Sequence, residues 1–336
     1  MRRSRRFRMK KIYVFVLILC LGFSATFGQI KLAQSGGQFL SVDSDAKAGG
    51  MAGALTTVEM QSASVFFNPA GMARMKEAIN FMASQNQWFA DIKYNSLSVA
   101  YKPGDGNLGV LALSYIGVDY GDIQGTQRWD NDQGYVDTEI LRPSAYAAGI
   151  GYAKALNDKF SVGGHFKYVG LNYGKSVYPD ETGLADTVKS NLAFANAVDF
   201  GTIYKTGWNS LAFGMSVRNF SNEVIFEKEG FQLPLAFTLG ISMDIFDLKR
   251  AAMKKQQMLL SIDALHYRSH AEQIRIGLEY KPIDMLSLRA GYRSANDEND
   301  LSFGLGIQQF GVVFDYAYEA FGRLGDVQRM TVRFSL

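Results

Sequence analysis

The sequence predicts an all-β protein, a transmembrane antiparallel β-barrel of about fourteen strands with a short helical N-terminal hatch. Three observations carry that expectation: a period-two alternation of apolar and polar residues, an export-type N-terminus, and connections that alternate between short and long. Ile274-Arg275-Ile276-Gly277-Leu278-Glu279-Tyr280-Lys281 shows the alternation, as do Leu286-Ser287-Leu288-Arg289-Ala290-Gly291-Tyr292-Arg293 and Met330-Thr331-Val332-Arg333-Phe334-Ser335-Leu336. A period of two places successive side chains on opposite faces of a sheet, so each segment is a strand with one apolar and one polar face. In a water-soluble sandwich or barrel the apolar face fills the core. In an outer-membrane barrel it meets lipid and the charged face lines the lumen. Both fit the period, so the N-terminus decides between them.

Residues 1 to 28 hold seven of the 35 Lys and Arg and none of the 32 Asp and Glu. A basic stretch running to Lys11 precedes the apolar run Ile12 to Phe23, which is short for a membrane span, and Ser24-Ala25-Thr26-Phe27-Gly28 follows. This is the order of a secretory signal peptide, with cleavage expected after Gly28 to leave Gln29 first. A retained anchor helix is the lesser reading, because small residues follow where an anchor carries more apolar length. Ser4-Arg5-Arg6-Phe7 has the wrong spacing for a twin-arginine signal, and a start at Met9 gives a cleaner Sec signal. Cys20 lacks the preceding small residue of a lipobox. The expected divisions are therefore 1–28 signal peptide, 29–77 hatch or plug, and 78–336 outer-membrane barrel.

Composition agrees. The whole-chain charge of +3 becomes about −4 once residues 1–28 are removed, so no basic nucleic-acid surface is implied. The single Cys lies in the signal, leaving a mature chain without thiol or disulfide. Aromatic residues at 13%, with 34 Gly and only 6 Pro, suit aromatic girdles and small residues where strands bend or pack against a lumen. Mean hydropathy near zero is no objection, because only every second barrel residue faces lipid.

Candidate strands fall near 78–88, 94–102, 108–120, 143–154, 160–173, 193–206, 211–218, 234–246, 257–267, 271–281, 286–293, 301–308, 311–319 and 328–336. After even-numbered candidates come short turns such as Pro103 to Asn107, Asn157 to Lys159 and Pro282 to Met285. Several odd-numbered candidates are followed by long loops, at 121–142, 174–192 and 219–233. Short periplasmic turns, long outer loops and both termini in the periplasm are the pattern of bacterial barrels. The turn from Asp247 to Gln256, with Lys249, Arg250, Lys254 and Lys255, is a longer exception on the short side.

Residues 29–77 lack the alternation. Asp43-Ser44-Asp45 offers helix caps before the small-residue stretch Ala46 to Leu55, and Phe66-Phe67-Asn68-Pro69-Ala70-Gly71-Met72-Ala73 reads as a turn entering another short helix. Small side chains permit tight packing inside a cavity, which predicts a plug in the lumen; a periplasmic extension is the alternative.

These residues also carry a resemblance. Gly49-Gly50-Met51-Ala52-Gly53-Ala54 with Asn68-Pro69-Ala70-Gly71 resembles the hatch signature of FadL-like outer-membrane barrels. The wider frame resembles the PorV/PorQ family through Ser35-Gly36-Gly37-Gln38-Phe39-Leu40, then Leu288-Arg289-Ala290-Gly291-Tyr292, Phe303-Gly304-Leu305-Gly306, and Phe314-Asp315-Tyr316-Ala317-Tyr318 with Phe321-Gly322 and Leu324-Gly325. The resemblance implies a barrel of roughly fourteen strands in a Bacteroidota-type envelope, linked to type IX secretion as a cargo shuttle or an attachment-complex subunit. Gln328-Arg329 stands where that family often has a His-Arg pair, and Leu336 where it has an aromatic residue.

Chemical motifs are mostly absent, which favours a non-enzyme without cofactor. Gly170 to Ser176 has three residues between its glycines where a phosphate loop has four. His266 and His270 would share a helix face but diverge on a strand and turn. Asp130-Asn131-Asp132-Gln133-Gly134 begins like a calcium loop, yet Leu141 stands where the bidentate Glu is needed, so a solvated loop is preferred and no metal site is assigned. No Gly-x-Ser-x-Gly elbow and no mature Cys nucleophile occur, although a barrel-embedded lipase would need no local motif. Arg275, Glu279, Arg289, Arg293, Asp315, Glu319 and Arg333 alternate with apolar residues on late strands. They are expected to line the lumen, neutralise one another and pin the hatch; a selectivity lining is the alternative. Tyr280, Tyr292, Tyr316 and Tyr318 read as interface anchors.

Two functions follow. The resemblance implies an outer-membrane component that binds secreted proteins or secretion-system subunits. The alternative is a FadL-like, hatch-gated channel for hydrophobic small molecules. Outer-membrane lipid is a partner in either.

Overall fold

The computed structural model describes residues 35–104, 106–179, 186–248, 256–268, 271–294, 301–322 and 325–336. The expected signal peptide and the basic residues Lys249, Arg250, Lys254 and Lys255 lie outside them. The strands are β1 (Ile79–Gln87), β2 (Lys93–Tyr101), β3 (Val110–Asp119), β4 (Ile123–Arg128), β5 (Tyr135–Leu141), β6 (Ser144–Ala155), β7 (Phe160–Pro179), β8 (Asp186–Lys205) and β9 (Ala212–Ser221). They continue with β10 (Val224–Phe226), β11 (Glu229–Phe231), β12 (Ala236–Asp244), β13 (Gln257–Tyr267), β14 (Gln273–Ile283), β15 (Leu286–Arg293), β16 (Leu301–Gln309), β17 (Val312–Ala320) and β18 (Asp326–Ser335). Among the described residues, fourteen strands close one antiparallel barrel in the order β1-β18-β17-β16-β15-β14-β13-β12-β9-β8-β7-β6-β3-β2. The seam joins the first and last strands, from Asn80 opposite Ser335 to Gln87 opposite Gln328.

The face assignment follows the alternation. On β3, Ala112, Ser114, Ile116 and Val118 are buried, whereas Leu111, Leu113 and Tyr115 are exposed, Leu113 to 61%. Leu288 is likewise exposed beside buried Glu279 and Arg289. A continuous apolar outer surface of this kind matches a lipid-facing wall and is untenable in water.

All fourteen expected strands are present, and the loops differ. β7 and β8 each run 20 residues, well past the expected strand ends. Their pairing continues through a bulge between Asn172 and Lys175, where Gly174 takes φ +88. The loops expected at 121–142 and 219–233 contain the hairpins β4–β5 and β10–β11. A two-stranded ribbon outside the barrel buries neither face, so β4 and β5 carry no clean alternation to read.

Residues 38–75 occupy the lumen. A 3₁₀ turn at Gln38–Ser41 leads to helix α1 (Ala46–Gly50), then to 3₁₀ turns at Gln61–Phe66 and Pro69–Met72. Asp45 caps α1 by accepting from the Ala48 N–H at 3.1 Å. The helix stops after five residues, short of the expected Leu55, because Ala52 and Gly53 turn into the left-handed region. The wall enforces the stop: a Cβ on Gly50 would lie 2.9 Å from the Gly304 Cα of β16. The segment runs from the long-loop end, where Ser35 bridges to Gln232, to the short-turn end, where Lys102 donates to the Met75 carbonyl at 3.0 Å. Met51, Leu55, Val65 and Met72 are fully buried between it and the wall.

Candidate functional site

The lumen wall and the inserted segment meet in two charged clusters. The first is a chain of alternating sign that leaves the segment and returns to it. Lys47 donates to Glu279 Oε1 at 3.0 Å; Arg289 reaches Glu279 Oε2 at 2.6 Å and Asp315 Oδ1 at 2.6 Å. Arg333 then bridges Asp315 to Asp45, the cap of α1. The strand register makes this possible, since Glu279 faces Arg289 across β14 and β15, and Asp315 sits on β17 one strand beyond β16, where Gly304 and Gly306 leave room for the guanidinium. Three cations and three anions thus cancel inside a wall that excludes most water, which is the condition under which buried charge is tolerated.

Beside it, Asp43 gathers arginines. Its carboxylate accepts from Arg293 at 2.8 Å and lies 3.5 Å from Arg275, while its carbonyl accepts from Arg329 Nε at 3.2 Å. Arg329 also pairs with Glu319 and stacks over Trp88, 5.3 Å from the ring centroid. Burial alone would raise the Asp43 pKa; Arg275, Arg293 and Arg329 overcome it and hold the carboxyl below its usual range. Burial pushes Lys47 the other way, down to about 8, against the pull of Glu279.

All seven charges expected in the lumen are inward. Glu279, Arg289, Asp315 and Arg333 come together in one chain, Arg275 and Arg293 converge on Asp43, and Glu319 holds Arg329. Their partners on the segment, Asp43, Asp45 and Lys47, read in the sequence only as cap and helix residues.

The small-residue motif sits at close approaches. Gly49 packs on Arg329 and Ala317, Gly50 on Gly304, and Gly53 on Arg275 and Asp43. Asn68 accepts from the Ala70 N–H at 3.1 Å, which caps the Pro69–Met72 turn, and donates to the carbonyls of Thr56 at 2.6 Å and Thr202 on β8 at 3.1 Å. Gly201 of β8 must be glycine for this, because a Cβ there would overlap Asn68 Oδ1. Gly71 packs on Ser64, completing the turn.

One cluster was not visible in the sequence. Ser114 on β3 lies 2.7 Å from His165 Nε2, and His165 Nδ1 lies 3.0 Å from Asp199 on β8. A proton on Nδ1 lets the ring donate to Asp199 and accept from Ser114, the order of a hydrolytic triad. Two features argue for a structural role. Lys167 pairs with the other Asp199 oxygen at 2.8 Å, and the adjoining cavity of about 20 Å³ is too small for an acyl group. A bulge on β9 at Arg218 and Asn219 turns two successive side chains inward, so that Arg218 donates to the Phe66 carbonyl at 3.0 Å and locks this cluster to the segment. Of the metal and phosphate motifs, Gly170 to Ser176 lies within β7, Asp130 to Gly134 joins β4 to β5, and His266 lies 3.2 Å from Glu272; His270 is outside the described residues.

Two hollows remain. A chamber of about 190 Å³ at the long-loop end has Asp43 on its floor and Trp88, Tyr267, Phe321, Arg275, Arg293 and Arg329 around it. An apolar hollow of about 670 Å³ lies against β2, β3, β6, β7 and β8 among Val99, Leu111, Leu113, Ile150, Phe166 and Val198, where Gly164 contributes no side chain.

No family model matches the sequence, and no curated protein matches it. Solved structures match in fold. The toluene transporter TbuX of Ralstonia pickettii aligns over 87% of this chain and 98% of its own, with TM-score 0.60 and 13% identity. The toluene transporter TodX of Pseudomonas putida aligns over 91% and 98%, with TM-score 0.57 and 13% identity. The CymD monoaromatic hydrocarbon channel aligns over 88% and 98%, with TM-score 0.57 and 13% identity. Identity this low speaks to fold alone. With its closed fourteen-strand antiparallel wall and short N-terminal helical elements, the chain shares the fold of the TbuX, TodX and CymD barrels.

Proposed function

We propose that this protein is an outer-membrane channel for hydrophobic small molecules, exported by a cleaved signal over residues 1–28 and gated by residues 29–77 acting as a hatch. The observation that carries the reading is the position of the aromatic chamber directly over Asp43, on the long-loop side of a segment that otherwise fills the lumen. A filled lumen passes no bulk water, while Trp88, Tyr267 and Phe321 offer an apolar molecule entering between the loops a surface that water alone does not. The folds it resembles include proteins named as toluene transporters and a monoaromatic hydrocarbon channel, which supports the same class of cargo. The neutralised chain from Lys47 through Glu279, Arg289, Asp315 and Arg333 to Asp45 serves to hold the hatch and not to select ions.

Outer-membrane vesicles carrying the protein should take up labelled toluene faster than vesicles without it, and locking the hatch by a disulfide between cysteines placed at 62 and 98, where the native serine hydroxyls meet at 3.0 Å between segment and wall, should abolish the difference. Equal uptake with and without the protein sinks the channel reading. The type IX secretion role rests on the ordered PorV/PorQ-like motifs alone, and recovery of secretion-system proteins with the intact barrel is the result that would favour it.

A further inference from the structure

The chamber over Asp43 carries more charge than a site for a neutral hydrocarbon needs. Three guanidiniums line it, from Arg275, Arg293 and Arg329, against the single carboxylate of Asp43. Arg329 has its own anion in Glu319 and is held over Trp88. Arg275 and Arg293 share Asp43, at 3.5 and 2.8 Å; Arg275 also donates to the Tyr267 hydroxyl at 2.9 Å and to Gln273 Oε1 at 3.5 Å, and the Nε of each arginine is buried without a hydrogen-bond acceptor. Arginine presents its donors as a fork suited to a carboxylate, so Asp43 leaves capacity on both. On the opposite side, Trp88 and Phe321 meet edge to face at 5.0 Å. A volume of about 190 Å³ falls below the usual range for drug-sized ligands and suits one ring with a short substituent, not an extended chain.

We infer that this chamber binds a single-ring aromatic carboxylate, whose ring lies against Trp88 and Phe321 and whose carboxylate takes Arg275 and Arg293 in place of Asp43. Asp43 is then an internal stand-in for the ligand: it keeps the arginines neutralised when the chamber is empty, and its displacement removes one of the contacts that hold the hatch. This rests on the channel reading above and assigns its cargo and trigger.

The test is isothermal titration of the purified, folded barrel with benzoate and with benzyl alcohol, which shares the ring and lacks the charge. Benzoate should bind about tenfold or more tightly than benzyl alcohol. Arg293→Gln should erase that ratio, and Asp43→Asn should tighten benzoate binding by removing its competitor. The retained heat-dependent shift in gel mobility reports that each variant is folded, and the wild-type ratio decides the matter without any variant. Equal binding of the two compounds, or a benzoate preference that survives Arg293→Gln, overturns the inference and leaves the channel reading intact. Failure of toluene, benzyl alcohol and benzoate alike to bind overturns both.

Discussion

Lys47 and Asp45, two residues apart on the inserted segment, are the two ends of one chain of charges that passes through Glu279, Arg289, Asp315 and Arg333 on the barrel wall. The segment and four wall strands, β14, β15, β17 and β18, are thereby joined in a closed electrical loop, and removal of a member at its middle leaves each of its two neighbours one partner short.

Asp315→Asn is expected to be among the most damaging single changes. It leaves Arg289 and Arg333 buried with one partner fewer each, a loss of about 3 to 5 kcal/mol for a broken buried pair. The heat-dependent change in gel mobility should then occur at a clearly lower temperature, whereas Asp122→Asn, in the exposed pair with Arg142, should leave it within about 0.5 kcal/mol of wild type. Equal effects would show that the chain bears no stability.

Lys47 titrates in an accessible window. Its folded pKa of about 8 lies below the ordinary value of 10.5, so between those limits the unfolded chain holds the extra proton. Stability must rise as pH goes from 8 to 10.5, and below 8 the full penalty of burying the cation applies. Comparing unfolding midpoints of wild type and Lys47→Met across that range isolates the contribution: wild type should gain stability relative to the variant as pH rises. A constant difference would place Lys47 in a wetter environment than its burial indicates.

Face assignment is open to labelling, because the one cysteine of the chain is Cys20 and none lies among the described residues. Cysteines at 278 and 288 should react with lipid-soluble reagents and not with aqueous ones, and Leu288→Arg should cost roughly 2 to 4 kcal/mol if it lies near the bilayer midplane. Aqueous labelling at both positions would reverse the wall.

Gly201→Val should disturb the segment more than the barrel. The new side chain takes the space of Asn68 Oδ1, so the Asn68 contacts to Thr56 and Thr202 are lost while β8 keeps its pairing. Conductance in planar bilayers should rise toward that of a barrel lacking residues 36–77, which should itself conduct far more than wild type, because a wall of this size is too wide for its own side chains to fill. If both stay at the wild-type level while folded, residues 36–77 do not plug the lumen.

The wall was legible because a half-buried strand writes its environment every second residue: Ile276, Leu278 and Leu288 outward, Arg275, Glu279 and Arg289 inward. β4 and β5 were not, since no solvent boundary divides their faces, and β10 and β11, at three residues each, are too short to show a period. Of the site, the sequence offered the charges on β14 to β18 but not their partners, because Asp43, Asp45 and Lys47 sit in a segment without periodicity. Ser114, His165 and Asp199 come from three strands and are drawn together across the glycine at 149, whose Cβ would collide with His165. Alternation places Lys167 and His165 on the inner face, and only register reveals what they meet.

The seam between β1 and β18 fixes an order of events at biogenesis. Residues 38–75 precede every wall strand in the chain, yet their charged partners Arg275, Glu279, Arg293, Arg329 and Arg333 lie on the last strands. Once Asn80 has zipped to Ser335 the wall has no gap through which a folded insert passes, so the nascent sheet must curl around the segment before it shuts. Most of the contacts that reward this are far apart along the chain, which makes closure slow. An assembly factor that holds β1 open until β18 is delivered would therefore guard the insert as well as the edge strands, and a chain that closed early would be a hollow barrel with Asp43, Asp45 and Lys47 left outside.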